Sequence, residues 1–399
     1  MPVFKNKNAL KAVYIGTLCA VAYLAVYFAR NVLSAVTPQM IEDGVATTEY
    51  IGSLSSVYFM TYAVGQLING LIGDKIKAKY MIGLGLALAG IVNILFVFVL
   101  PVSTAAATVA YALTGFFLSM IYGPMTKVVA ENTEPPYTTR CSLGYTFSSF
   151  LGTPAAGVVA AVLAWQGVFV SSGIVLIAMG IVVFAVFSLF ERKGFVNYNL
   201  YIKENKQKGK LGTLIERGII RFTIVSIVTG VIRTTVVFWM PTYISQHLGF
   251  SADASALIFT VASLVIASSA FISIFLYERL GYKLQLTLFV EFSAAVVFFL
   301  LAFFVKNPTA NICCLTLAVI AGDAAATMLW SRYCPSLRDT GMVSSATGYL
   351  DFVSYMAASA SSTIFANAVS DIGWGNLILI WCGLMVIGVA VSIPNKKNA

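Results

Sequence analysis

Read as sequence alone, the chain is an all-α membrane protein: twelve transmembrane helices in two pseudo-symmetric six-helix bundles. Three observations say so. The composition is 59% hydrophobic and only 10% charged, with a mean hydropathy of +0.87, too few charges to clothe a soluble domain of 399 residues. Apolar runs of about 20 residues, the length that crosses a bilayer, recur from end to end. One long polar stretch divides those runs six and six.

The first run, 12–37, is longer than a signal-peptide core, lacks a small-residue cleavage site and leads into further spans, so it is expected to be retained as helix 1. Spans two to six are expected at 50–73, 79–100, 103–127, 141–164 and 166–190. The stretch 191–217, ERKGFVNYNLYIKENKQKGKLGTLIER, is polar and basic and is read as a cytoplasmic linker. Spans seven to twelve follow at 218–246, 253–276, 284–305, 309–331, 341–364 and 373–394. The expected organisation is therefore an N-terminal bundle over 1–190, the linker, and a C-terminal bundle over 218–399.

The two halves repeat weakly. Arg30 precedes Pro38 by eight residues, and Arg233 precedes Pro241 by eight. Asp74, Lys75 and Lys79 are echoed 204 residues later by Glu278, Arg279 and Lys283. Helices 2 and 8 both open on cap-type residues, Thr47-Thr48-Glu49 and Ser251-Ala252-Asp253. Two copies of one helical unit, related by an axis along the membrane normal, are expected to place a substrate site near midplane between them.

The net charge of +9 has a topological explanation. With the N-terminus in the cytoplasm, 22 of the 25 Lys and Arg residues fall on the cytoplasmic side, the exceptions being Arg30, Arg233 and Lys306. This bias puts both termini inside, in a multi-pass protein of the cell membrane, with the bacterial inner membrane expected. No nucleic-acid partner is needed to explain the basic balance. Six scattered cysteines show no metal or disulfide spacing, and His247 is the only histidine. No nucleophile–base pair, metal spacing or nucleotide loop appears, so neither an enzyme nor a metal or cofactor is expected. A monomer in the bilayer is the expected state.

Arg30 and Arg233 lie inside spans. A midplane arginine costs about 2.5–3.5 kcal/mol on insertion scales and cannot shed its proton to escape. It persists where it faces a wet cavity and meets an anion, and its planar fork suits phosphate or carboxylate. One arginine from each half is expected to form an anion clamp, and the plainer alternative is pairing with a buried acid. Without substrate two facing cations would resist closure, whereas a bound anion would release them, which is the requirement for exchange. Tyr23 and Tyr27 precede Arg30 on roughly its own helix face and are candidate substrate contacts, as are Tyr62, Trp239, Tyr349 and Tyr355. Membrane-depth acids occur in the second half only. Asp323 and Asp351 are candidates for proton coupling, with ion pairing to Arg233 the alternative for Asp323, and Glu291 is read as structural.

Several segments resemble a known family. Gly70 to Lys79, G-x-x-x-D-K-x-x-x-K, resembles the loop 2–3 signature of the major facilitator superfamily, with Lys75 where that family usually has arginine. AYLAVYFARN (22–31), VIRTTVVFWMPTY (231–243) and ATGYLDFVSYMAASASS (346–362), followed by Asp371 and Gly373-Trp374, resemble the organophosphate:phosphate antiporters, which include glycerol-3-phosphate and hexose-phosphate carriers. The resemblance implies that Arg30 and Arg233 bind the substrate phosphate. It also implies that Asp74, Lys75 and Lys79 form a conformational switch tuning the inward–outward equilibrium. Gln66 stands where phosphate carriers tend to have lysine, and Phe147 near where some carry histidine, so less positive charge is expected around the substrate.

The expected function is secondary transport of a small organic anion, an organic phosphate exchanged for inorganic phosphate by rocker-switch alternating access. Two alternatives stand beside it: a proton-coupled organic-anion symporter using Asp323 or Asp351, and a non-transporting membrane sensor of a phosphorylated ligand.

Overall fold

The structure is a computed structural model and describes residues 7–73, 76–198, 211–337 and 343–394. Its regular structure is helical throughout the described residues, as a bilayer demands of backbone groups that have no water to bond. The first six helices are α1 (Lys7–Glu42), α2 (Thr48–Gly73), α3 (Ala78–Val99), α4 (Thr104–Asn132), α5 (Pro135–Ala160) and α6 (Trp165–Arg192). A short helix, Leu211–Glu216, precedes α7 (Ile219–Gln246), α8 (Ala252–Arg279), α9 (Leu284–Phe304) and α10 (Pro308–Tyr333).

The last helical stretch, Val343–Ser392, is continuous in hydrogen bonding but breaks at Gly373, whose φ of 75° and ψ of 166° no L side chain adopts comfortably. It is therefore two helices, α11 (343–372) and α12 (374–392). Among the described residues nine apolar stretches are long enough to cross a bilayer, the last of them holding both α11 and α12. With α2 and α5, each of 26 residues, the spans number twelve. The eleventh helix continues eight residues beyond the expected end at 364, because the chain has no breaker before Gly373.

The chain divides into two compact units. One comprises Met1–Val45, Val57–Lys203 and Ala252–Thr260, and the other Ala46–Ser56, Glu204–Ser251 and Val261–Ala399. The first residues of α2 thus belong with the C-terminal helices, and the first residues of α8 with the N-terminal ones.

In the first unit α3 packs on α6 through paired glycines. A Cβ on Gly90 would lie 2.5 Å from the Gly173 carbonyl oxygen, so this backbone approach tolerates no side chain. Helix α1 packs on α5, where the Cys141 thiol donates to the Ala12 carbonyl at 3.3 Å. Thr260 fits against Gly157, and Gln39 donates to the Ala160 carbonyl at 2.6 Å. In the second unit α7 packs on α11, with Ser226 donating to the Leu350 carbonyl at 2.7 Å. Helix α9 packs on α12, where Phe292 fills the space a side chain at Gly388 would need. The start of α2 joins α11 through Ser56 and Ser359, 3.1 Å apart, and through Ser370 and Glu49. Serine and glycine dominate these seams because dispersion and short hydrogen bonds, not the hydrophobic effect, hold helices together in lipid.

Candidate functional site

In the first unit, Tyr23, Tyr27 and Arg30 follow one another on α1 at spacings of four and three, which brings them to one face. The half-buried Arg30 guanidinium carbon lies 5.4 Å from the Tyr27 ring centre. From α2, the Tyr62 ring stands 5.3 Å away and the Phe59 ring 5.9 Å away. Aromatic faces attract a cation without supplying a negative charge, so these rings hold the guanidinium but do not neutralise it.

The basin extends further. Tyr23 packs on Tyr27 at 5.0 Å, on Tyr122 of α4 at 5.6 Å and on Tyr145 of α5 at 6.0 Å. Gln66, half-buried, follows Tyr62 by one turn of α2. Of this group, sequence reasoning singled out Tyr23, Tyr27, Tyr62, Gln66 and Arg30 and missed Phe59, Tyr122 and Tyr145. The side chain of Phe147 lies outside the described residues.

Arg233 has a different setting in the second unit. Residues Val231–Val236 of α7 widen into a π-helical turn, and Arg233 sits on it, half-buried. Such turns recur at functional sites because the extra residue per turn re-aims a side chain. The turn is braced from α11: Thr235 lies 2.8 Å from the Ser361 hydroxyl, and Ser354 occupies the space beside Gly230. Asp323 of α10 is 8% exposed. Ser269 of α8 donates to Asp323 Oδ2 at 2.5 Å. A second π-helical turn, Leu329–Tyr333, closes α10.

The other candidates of the second unit spread out. Trp239 is 1% exposed and packs against Phe238 and Trp374, with ring centres 5.2 and 6.2 Å away. Tyr355 is buried, and Asp351 half-buried. Tyr349 is exposed, and its hydroxyl lies 3.5 Å from that of Thr223.

At the α2–α3 turn, Asp74 and Lys75 lie outside the described residues. Lys79 is described and buried, and its ammonium donates to Glu191 Oε2 at 2.6 Å. Lys77 donates to Glu191 Oε1 at 2.5 Å, and that hydrogen bond raises its ammonium pKa above the usual value. Sequence reasoning missed Glu191 as the shared partner; the available signal was an acid at the C-terminal end of the sixth span.

Comparison with known proteins adds the following. A family model described as Major Facilitator Superfamily matches residues 19–362. The glycerol-3-phosphate transporter of Bacillus subtilis is 22% identical over 97% of this chain and 93% of its own length. The membrane sensor protein UhpC of Salmonella typhimurium is 36% identical over 95 residues, which are 24% of this chain and only 21% of that protein. Among solved structures, a bacterial homologue of the human lysosomal transporter Spinster superposes with a TM-score of 0.76 at 12% identity, covering 97% of each chain.

Proposed function

The chain belongs to the Major Facilitator Superfamily, and on that premise we propose that it is a secondary carrier exchanging a small organic phosphate for inorganic phosphate by alternating access. The observation that carries this reading is the pair of half-buried arginines at membrane depth, Arg30 on α1 and Arg233 on α7. The kinship with a glycerol-3-phosphate transporter along almost the whole chain supports the substrate class.

Each arginine offers paired N–H donors to phosphate oxygens, and bonds to a charged oxyanion are about twice as strong as neutral ones. An empty carrier keeps two cations in a medium of low dielectric, and a bound dianion offsets both. The loaded protein therefore changes state readily and the empty one does not, which yields exchange and not leak. The rings around Arg30 suit the organic portion of the ester. Gln66, neutral where a lysine would add charge, favours an ester whose uncharged part is large. Asp74, Lys75 and Lys79 serve as the conformational switch, with Glu191 holding Lys79 in the state described. Both termini are cytoplasmic in this reading, since the basic residues crowd that side.

The test is counterflow in proteoliposomes. Vesicles loaded with inorganic phosphate are expected to take up labelled phosphate, and external glycerol-3-phosphate or hexose phosphates compete. Unloaded vesicles take up little. A membrane sensor, the reading suggested by the 95-residue match, would bind an ester without exchanging it.

A further inference from the structure

Where α8, α9 and α10 meet, the second unit buries a carboxyl group. Glu291 of α9 is 3% exposed, and among the described residues no ion pair includes it. Its Oε1 lies 2.6 Å from the hydroxyl of Ser273 on α8, a fully buried residue. Its Oε2 is buried and has no hydrogen-bond partner. A carboxylate left in this state at membrane depth is among the costliest groups a helix can carry.

The positions of the oxygens decide where a proton must be. Ser273 Oγ also lies 2.9 Å from the carbonyl oxygen of Ala324 on α10. A hydroxyl has one proton to give and two lone pairs with which to accept. Were Glu291 ionised, both neighbours of Ser273 would be acceptors, and its one proton could serve only one of them. The other contact would set lone pair against lone pair. With a proton on Glu291 Oε1, Glu291 donates to Ser273 and Ser273 donates to Ala324. Both contacts are then hydrogen bonds, and Oε2 is a neutral carbonyl oxygen, which tolerates burial without a partner far better than a charged one. The same two bonds join three helices, α9 giving to α8 and α8 giving to α10.

Among the described residues no other titratable group bonds to Glu291 or Ser273. From α10, Asp323 adjoins Ala324 but has its own hydroxyl partner, Ser269, at 2.5 Å. From α8, Tyr277 follows Ser273 by one turn, and its ring carries the Arg332 guanidinium at 5.0 Å. From α12, the Cys382 thiol donates to the Val296 carbonyl of α9 at 3.8 Å.

We propose that Glu291 is a proton-binding site: it holds a proton in the state described, and through Ser273 that proton fastens α9 to α8 and α10. Loss of the proton leaves Ser273 unable to serve both neighbours, and the fastening goes with it. The folded junction binds the proton more tightly than the unfolded chain does, so its contribution to stability is full in acid and is lost as the pH rises. Glu291, read from sequence as structural, thereby makes the packing of the second unit depend on a proton, whether or not the chain exchanges anions.

Infrared spectroscopy of the purified full chain in lipid nanodiscs, near neutral pH and without substrate, tests this. Wild type is expected to show the carbonyl stretch of a protonated carboxylic acid, at the high-frequency end of its range because Oε2 accepts no hydrogen bond. Glu291→Gln should lack that band, and a spectrum that this variant leaves unchanged overturns the proposal. Ser273→Ala gives a second reading. The band is expected to shift as the acid loses its acceptor, and a band left unmoved belongs to another carboxyl and overturns the proposal too. The fastening is read separately, from thermal unfolding across pH. A glutamine side chain donates to Ser273 as the acid does but cannot ionise. The wild-type midpoint is therefore expected to fall relative to that of Glu291→Gln as the pH is raised, over the interval in which the band disappears. Midpoints that run parallel through that interval overturn the fastening.

Discussion

The two membrane-depth arginines live in opposite chemical settings. Arg30 lies on an ordinary turn of α1 among the rings of Tyr27, Phe59 and Tyr62. Arg233 lies on a π-helical turn of α7, braced from α11. The first setting is built from ring faces, the second from a widened turn braced by Thr235 against Ser361 of α11. The membrane-depth acids Glu291, Asp323 and Asp351 all lie in the second unit.

The largest expected effect comes from removing each cation outright. Arg233→Ala should abolish exchange by removing the guanidinium that offers paired donors to the anion. Arg30→Ala should abolish exchange likewise, by removing the guanidinium held among Tyr27, Phe59 and Tyr62. Counterflow of labelled phosphate in both variants checks this, and wild-type exchange in either would contradict it.

Gln66→Lys sharpens the comparison from the other side. A second cation near Arg30 should tighten inorganic phosphate by about tenfold, an increment of roughly 1.4 kcal/mol. The gain should be smaller for esters with a bulky organic part, as titration calorimetry would show.

Much of this was legible in the sequence, and the reasons are physical. Bilayer thickness imposes span length, so helix number and order can be read from apolar runs. Arginine is so costly in lipid that Arg30 and Arg233 announce themselves. What stayed hidden depends on partners far away in the chain. Glu191 meets Lys79 across 112 residues, and Ser269 meets Asp323 across 54. The π-helical turn at Val231–Val236 meets α11 through Thr235 and Ser361, 126 residues apart. Aromatics were ambiguous for the same reason. Trp239 and Tyr349 belong to one residue class, yet the first is fully buried against Trp374 and the second is exposed.

A smaller effect is expected at the rings. Tyr62→Leu should weaken phosphate binding about fivefold, near 1 kcal/mol, by removing one face from Arg30. Tyr62→Phe should stay within about twofold, because the ring is kept. A large loss in Tyr62→Phe would mean that the hydroxyl, not the ring, carries the contact.

The smallest effect belongs to the turn between α2 and α3. Lys79 is buried and Lys77 exposed, though both reach Glu191. Lys79→Ala should alter exchange rate more than Lys77→Ala, whose partner contact is screened by water. Initial rates of counterflow separate the two.

The central proposal is that the guanidinium groups of Arg30 and Arg233 bind the anionic substrate. Counterflow of labelled phosphate in vesicles carrying Arg30→Lys or Arg233→Lys tests it most directly, because each variant keeps the charge and loses the planar fork. Both variants are expected to insert and fold normally and to lose exchange by about 100-fold or more, in line with the loss of charge-assisted hydrogen bonds. Wild-type exchange in either would contradict the account.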